Sequence, residues 1–478
     1  MKKLLSMLLV GALALTMIAL PAAVAEEATD ITMFMYASSP FPADAENPIG
    51  LKIQEATNTV LHTETPPSSS YSERLQILLA SGDYPEVVMF PSHTENLYPK
   101  IRDISWNAMK VNGEIYGIPQ ATVMRADGYF VRKDWVDALG VALPEDGYLT
   151  LDEMYDLLHK LTYDDPDGNG KADTFGIVAT ATSDGALSPL FQDAFDLMGW
   201  QKYEDEEYPY MNLQYSRTNP AFKDALAFTA KLWAEGLIDP DWPAMRADDT
   251  SKERFNQGVG GMRNAFAGQY TNYLDIMNQN IPQADLTYIA GVESASGNRN
   301  ASVAGTGYWY LSALTVAAEG KEQAIIDMFD YRMSDEGWDL IKYGVEGTHF
   351  DFVNGERVFN ESYNDYYKWR GSYKLVMPSM DSDYFINPAL DTALKAKLSG
   401  WLQQAVDRVV TTADLGYRPA AADLPEYIEY VSKVNANITK IIIGELPVDA
   451  WDDTLAGWYA NGGEAYVQQM NEYIQSHE

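Results

Sequence analysis

From Asp30 onward, short apolar runs alternate with amphipathic stretches. Ile31 to Ala37, Thr59 to Thr63 and Glu86 to Phe90 read as strands, and about Pro48 to Thr57 and Ser72 to Ala80 read as the helices between them. Strands alternating with helices predict parallel βαβ units. Ser72 is placed to cap the second helix, and Ser81-Gly82 followed by Pro85 to end it. Ligands of open sheets sit beyond the carboxyl ends of the strands, which puts Tyr36, Ala37, Ser38 and the Phe90 to His93 loop at a candidate binding face.

A second series of elements begins after Gly117-Ile118-Pro119-Gln120 and Gly128-Tyr129-Phe130-Val131. Thr150-Leu151-Asp152-Glu153 is a capping box, in which hydroxyl and carboxylate satisfy the orphan amides of a helix start. Leu151, Met154, Leu157, Leu158 and Leu161 then share one helical face, so this helix packs on a core. Gly176 to Thr180 predicts a strand, Ser188-Pro189 the start of a helix, and Phe222 to Gly236 a further helix ended by its glycine. At 478 residues, two α/β lobes are the expectation.

The first residues do not belong to that pattern. Lys2-Lys3, the apolar run Leu4 to Leu20, and Ala23 and Ala25 before Glu26-Glu27 predict a secretory signal peptide cut after Ala25. A retained membrane anchor is the alternative, against which the run falls short of the ~20 residues that cross a bilayer. With no cysteine, the chain has no disulfide, thiolate metal site, cysteine nucleophile or lipid-bearing cysteine.

Lys plus Arg total 34 and Asp plus Glu 69, a net charge of −35. Phosphate backbones and anionic lipid surfaces are repelled by such a chain. The same balance argues against a polyanionic ligand, although a local cluster drawn from Arg125, Arg132 and Arg263 would overrule it. Against this background the 31 Tyr, 11 Trp and 16 Phe stand out. Rings that stack on the apolar faces of pyranoses suit an exported sugar binder, though each ring taken alone is as well explained by a core.

Asp165-Pro166-Asp167-Gly168-Asn169-Gly170-Lys171-Ala172-Asp173 places oxygen side chains at positions one, three, five and nine and a glycine at six. That is the spacing of an EF-hand-like calcium loop, with Asp165, Asp167, Asn169 and Asp173 as side-chain ligands and Lys171 through its carbonyl. Gly176 stands where the bidentate Glu of position twelve belongs, and a solvated turn is the other reading of the same composition. Calcium here would be structural.

Leu78-Leu79-Ala80-Ser81-Gly82-Asp83-Tyr84-Pro85-Glu86-Val87-Val88 resembles a segment of the carbohydrate-binding extracellular solute-binding proteins of ABC transporters. Gly113 to Pro119, Val131 to Trp135, Ala234 to Pro240 and Tyr343 to Gly347 follow in the order found in that family, and with the Asp165 loop they are similar to its alginate-binding and LipO-like branch. The resemblance implies a two-lobed, type II-like periplasmic-binding-protein fold, each lobe an open sheet flanked by helices and joined by hinge strands. It divides the chain into signal peptide (1–25), first part of lobe one (26–121), lobe two (122–305), return to lobe one and hinge (306–375), and a C-terminal helical part packing across both lobes (376–478).

The chain departs from the family in lacking a lipidated cysteine, in a short stretch between Phe90 and Trp106, and in having Thr174 where the alginate-binding relatives have an acid after the loop. With the topology, the resemblance implies a cleft holding Tyr36 and Ser38 after the first strand, Gln120 and Thr122 where the chain crosses lobes, and Asn264, Phe266 and Tyr270. Trp309, Trp369 and Tyr373 complete the expected set of rings. The function implied is capture of an oligosaccharide by a monomeric protein of the periplasm or cell surface, and its delivery to a membrane permease. His62, His93, His159, His349 and His477 show no metal spacing, and no phosphate loop or nucleophile elbow is present. A secreted glycoside hydrolase or lyase, whose paired carboxylates such an acidic chain would supply, and a glycan-adhesion module are the alternatives.

Overall fold

The computed structural model describes residues 27–37, 42–67, 70–91, 110–111, 114–115, 117–121, 123–182, 185–204, 206–246, 248–303, 308–373, 375 and 382–477. The signal-peptide segment and His93 lie outside them.

The first lobe is built on a five-stranded sheet in the order Thr59–Glu64, Thr29–Phe34, Val87–Pro91, Tyr308–Leu314, Ile118–Ala121. The first three strands are parallel, as their alternation with helices predicts. Tyr308–Leu314 runs antiparallel to both of its neighbours, because it enters the sheet on the return from the second lobe. The helix Pro48–Thr57 starts where Asn47 accepts from the amides of Ile49 and Gly50 at 3.0 and 2.9 Å and ends at Asn58, whose φ is 53°. Its buried Ile49 and Ile53 lock it to the sheet.

The second helix spans Tyr71–Ser81, so Ser72 is inside it and caps nothing; Ser70 precedes it without a capping side-chain bond. The C-terminal signal holds, with Gly82 taking the left-handed conformation at φ 73° that L side chains resist.

The second lobe carries a four-stranded sheet in the order Leu286–Ile289, Gly128–Arg132, Gly260–Ala265, Phe175–Ile177. The helix Leu151–Tyr163 has the expected capping box between Thr150 and Glu153, and it buries Met154, Leu157, Leu158 and Leu161. The helix expected from Ser188 is only the short 3-10 turn Gln192–Phe195, bracketed by Phe191 and Asp196 at φ 54° and 55°. The segment still sends Phe191, Ala194 and Leu197 into the second-lobe core, while residues 189–193 line a cavity beside that lobe's sheet.

The chain passes from the first sheet to the second between Ala121 and Gly128, and the crossing is braced where the Ala126 amide donates to the Ala405 carbonyl at 2.7 Å. Ala405 belongs to the helix Thr392–Asp407, whose Leu398 and Leu402 join a core that also contains Ile31 and Met33 of the first lobe and Phe130 and Leu286 of the second. The helices Pro425–Ile442, Ala450–Trp458 and Glu464–Ser476 instead join the core of the second lobe, among Leu158, Leu226 and Trp242. Among the described residues, the buried side chains that the C-terminal part adds to the core shared by both lobes lie between Tyr384 and Leu402.

Candidate functional site between the lobes

Strand ends from both sheets converge beside the crossing. Tyr36 follows the first strand, and its ring stacks on Tyr310 with centroids 4.8 Å apart and planes 16° from parallel. Gln120 lies in the strand that leads into the crossing, and Phe266 follows the strand Gly260–Ala265. These four residues, with Tyr367, Tyr384 and Phe385, line a cavity of about 250 Å³. Phe385 meets Phe266 edge to face at 5.1 Å. Gly268, in the 3-10 turn Ala267–Gln269, packs closely here: a Cβ on it would lie 2.6 Å from the Phe266 ring and 2.8 Å from the Phe385 carbonyl oxygen.

A larger cavity of about 670 Å³ has Arg125, whose guanidinium packs over Phe266, in its wall. Arg125, Arg263, Arg408, Asp127, Asp193 and Asp248 supply its charge. Arg125 grips Asp127 through two bonds, Nε to Oδ1 at 2.8 Å and Nη2 to Oδ2 at 3.3 Å. Arg263 pairs with Asp248 and also donates to Ser251 Oγ at 3.1 Å and to the Tyr273 hydroxyl. Arg408 pairs with Asp193 and donates to the carbonyls of Ala290 and Arg299. Burial pushes the Asp127 carboxyl up from the ordinary range, against the pull of Arg125. Asn264 adds an amide whose Nδ2 donates to the carbonyls of Asp127 and Gly128 at 3.1 and 2.9 Å. Rings on one side and a dense set of donors and acceptors on the other form a surface able to meet a ligand that carries both apolar faces and hydroxyl groups.

No family model matches the chain. It is 23% identical over 462 residues to the polygalacturonan/rhamnogalacturonan-binding protein YtcQ of Bacillus subtilis, covering 88% of this chain and 86% of that one. It is 24% identical over 477 residues to the lipoprotein LipO of the same organism, covering 92% and 91%. Among solved structures, the alginate-binding protein AlgQ2 without calcium ion superposes with a TM-score of 0.65 at 19% identity, over 94% of this chain and 98% of that one. The S. pneumoniae ABC-transporter substrate-binding protein FusA in complex with kestose gives 0.64 at 15% identity, over 94% and 99%. The chain has the two-lobed solute-binding-protein fold.

Within this solute-binding-protein fold, Tyr36, Gln120 and Phe266 meet at the smaller cavity and Asn264 faces the larger one. Ser38 and Thr122 lie outside the described residues, as does the side chain of Trp309, whose backbone runs in the return strand. Two expected rings belong to the core instead. Tyr270 is 6% exposed and packs edge-on against Phe130, with its hydroxyl 3.1 Å from Asp285. Tyr373 is 1% exposed, and its hydroxyl sits between Asp44 at 2.5 Å and Asn47 at 2.6 Å. Trp369 is half-buried, packs on Tyr366 and Tyr373, and lines neither cavity.

The site also draws on residues outside the expected set. Arg125 and Arg263 stand out in sequence only as cations in an acidic chain, while Asp193 and Arg408, 215 positions apart, carry no local signal of their pairing. Arg132, the third expected cation, faces away, held by Asp134 at 2.8 Å.

The Asp165 loop is exposed in this solute-binding-protein fold and is organised by its own bonds. The Gly170 amide donates to both Asp165 carboxylate oxygens at 3.1 and 3.2 Å, and Asn169 Nδ2 donates to Asp167 at 2.7 Å and Asp173 at 3.1 Å. The Lys171 amide donates to Asn169 Oδ1 at 2.8 Å. The oxygen-only donor set fits a hard cation, yet among the described residues no group of three or more acidic or histidine side chains is arranged to hold a metal. Gly176 has a steric reason to stand at the twelfth position: a Cβ there would lie 2.7 Å from the Leu158 carbonyl oxygen.

Proposed function

We propose that this protein is an extracytoplasmic solute-binding protein that takes an oligosaccharide into the cleft between its lobes and hands it to the permease of an ABC transporter. The observation that carries the reading is the meeting of aromatic and amide side chains from both sheets, Tyr36 and Gln120 from one and Asn264 and Phe266 from the other, at a cleft flanked by two cavities. A ligand touching both sheets favours the closed arrangement of the lobes, a hinge motion. The named relatives support sugar as the ligand, although they span charged polymers and the neutral kestose. LipO is a lipoprotein by name, whereas this chain has no cysteine to carry a lipid.

The protein acts by binding, without turnover. In the larger cavity all three lining aspartates are engaged by arginines, which supports a role as fixed acceptors. The test is a glycan-array screen followed by titration and prolonged incubation of protein with the best ligand. One saccharide bound per chain and recovered intact supports the reading. Catalytic release of reducing ends or unsaturated products over many turnovers replaces it with the hydrolase or lyase.

The Asp165 loop is the candidate for a structural calcium ion, with Asp165, Asp167, Asn169, Asp173 and the Lys171 carbonyl as its ligands. Its support is the order of oxygen donors, together with a solved FusA variant described as an EF-hand mutant. Binding would turn the Asp167 and Asp173 carboxylates from the Asn169 amide toward the ion.

A further inference from the structure

We infer that the saccharide this cleft selects is uncharged, with hydroxyls and not carboxylates as its recognised groups. The inference rests on the oligosaccharide-binding reading above and names the class of sugar. Its ground is the charge balance of the larger cavity, whose wall holds three arginines and three aspartates joined one to one: Arg125 with Asp127, Arg263 with Asp248, Arg408 with Asp193.

A uronate is recognised when an arginine fork faces it, because two parallel N–H donors match the two carboxylate oxygens. Here that geometry is occupied from within. The Nε and Nη2 edge of Arg125 already holds both oxygens of Asp127. Arg408 is 2% exposed, and its Asp193 partner is 9% exposed, so an entering carboxylate would have to displace a buried anion and leave it unpaired. A hydroxyl makes no such demand. It donates to an aspartate oxygen and accepts from an arginine N–H at once, so it joins each pair without breaking it.

The smaller cavity is lined by two cations, Lys368 and Arg370, and by no acid, but the N–H groups of both are already engaged. Lys368 is held by Asp365 at 2.8 Å, and the buried Arg370 donates to the Lys342 carbonyl at 2.8 Å, the Tyr363 hydroxyl at 3.2 Å and the Tyr384 carbonyl. Around both cavities the chain's net charge of −35 adds a repulsive field for an approaching polyanion. The arginines that would have drawn a polyuronate are thus neutralised where they line the larger cavity.

The test compares three probe sets of matched length by titration calorimetry: neutral oligosaccharides, oligogalacturonates, and the same oligogalacturonates with their carboxyls reduced to primary alcohols. A neutral ligand bound about tenfold or more tighter than any oligogalacturonate, with little change between low and physiological salt, supports the inference. An oligogalacturonate that binds more tightly than its reduced counterpart overturns it while leaving the sugar-binding reading intact. Failure to bind any saccharide overturns both.

A second measurement uses Asp248→Asn, at a side chain 68% exposed that balances the buried Arg263, alongside the buried Asp193→Asn, each checked for folding by a thermal melt. Removing the carboxylate that balances Arg263 should raise oligogalacturonate affinity about fivefold or more, and added salt should erase the gain. If folded Asp248→Asn protein shows no such gain, the pairing does not set ligand charge and the inference fails.

Discussion

Arg125 lies over the ring of Phe266, its guanidinium carbon 3.8 Å from the ring centroid, and so joins the two cavities through one cation–π contact. The contact fixes the Phe266 face that the smaller cavity presents, while the same guanidinium holds Asp127 in the larger one. Phe266→Ala should therefore weaken saccharide binding about tenfold or more, as removal of a central aromatic anchor does. Phe266→Tyr should retain most of the affinity. Calorimetry with a parallel thermal melt decides the point: loss of binding that merely tracks loss of folding would make the ring a core residue.

Tyr373 offers the converse case. Its hydroxyl donates to Asp44 and accepts from Asn47, the residue that caps the helix Pro48–Thr57, and Arg332 lies 3.8 Å from the same aspartate. Tyr373→Phe should cost about 1–3 kcal/mol of stability by leaving a buried carboxylate short of a donor. Saccharide affinity should stay within about twofold of the parent, because the ring touches neither cavity. A denaturant melt and a titration on one preparation measure both.

These two tyrosine and phenylalanine positions show what was legible in the chain. Elements were readable wherever the signal is local. The Thr150/Glu153 box and Gly82 mark helix ends through local signals that reach only a few residues, and Phe266 follows a strand whose end points at the cleft. Tyr373 and Phe266 differ only in their surroundings, which residues hundreds of positions away provide: Asp44 for one, Arg125 for the other. The Arg408–Asp193 pair is hidden for the same reason. The expected helix after Ser188 fails because the local proline signal is overridden where Phe191 turns left-handed to reach the cavity wall.

Acid should loosen the first lobe through Glu86. Partial burial alone would raise its carboxyl, but the Lys321 ammonium at 2.5 Å and the Thr32 amide at 2.8 Å outweigh that and hold it down at about 2. A depressed folded-state value means that the stabilisation is fully present above the ordinary carboxylate range and is lost as pH falls from about 4.5 toward about 2. Glu86→Gln should be less stable than the parent at neutral pH, and the gap should narrow across that window. Melting temperatures recorded at successive pH values would show parallel curves if the Glu86 bonds contribute nothing.

The Asp165 loop supplies the last expectation. Three carboxylates and one amide crowd a short exposed turn, with Asn169 donating to Asp167 and Asp173 where a cation would neutralise them more fully. A hard, oxygen-preferring ion of flexible geometry suits that set better than zinc or magnesium. Because the unfolded loop does not hold the donors together, calcium at about a hundred times its dissociation constant should stabilise the fold by about 2.7 kcal/mol, and chelator should remove the gain. Asp167→Ala should abolish the response and leave saccharide specificity unchanged, since the loop lines neither cavity. Gly176→Glu, which restores the twelfth-position acid on paper, should destabilise the protein instead, because its Cβ would press on the Leu158 backbone. A melting temperature indifferent to calcium and chelator in the parent protein would identify the loop as a solvated turn.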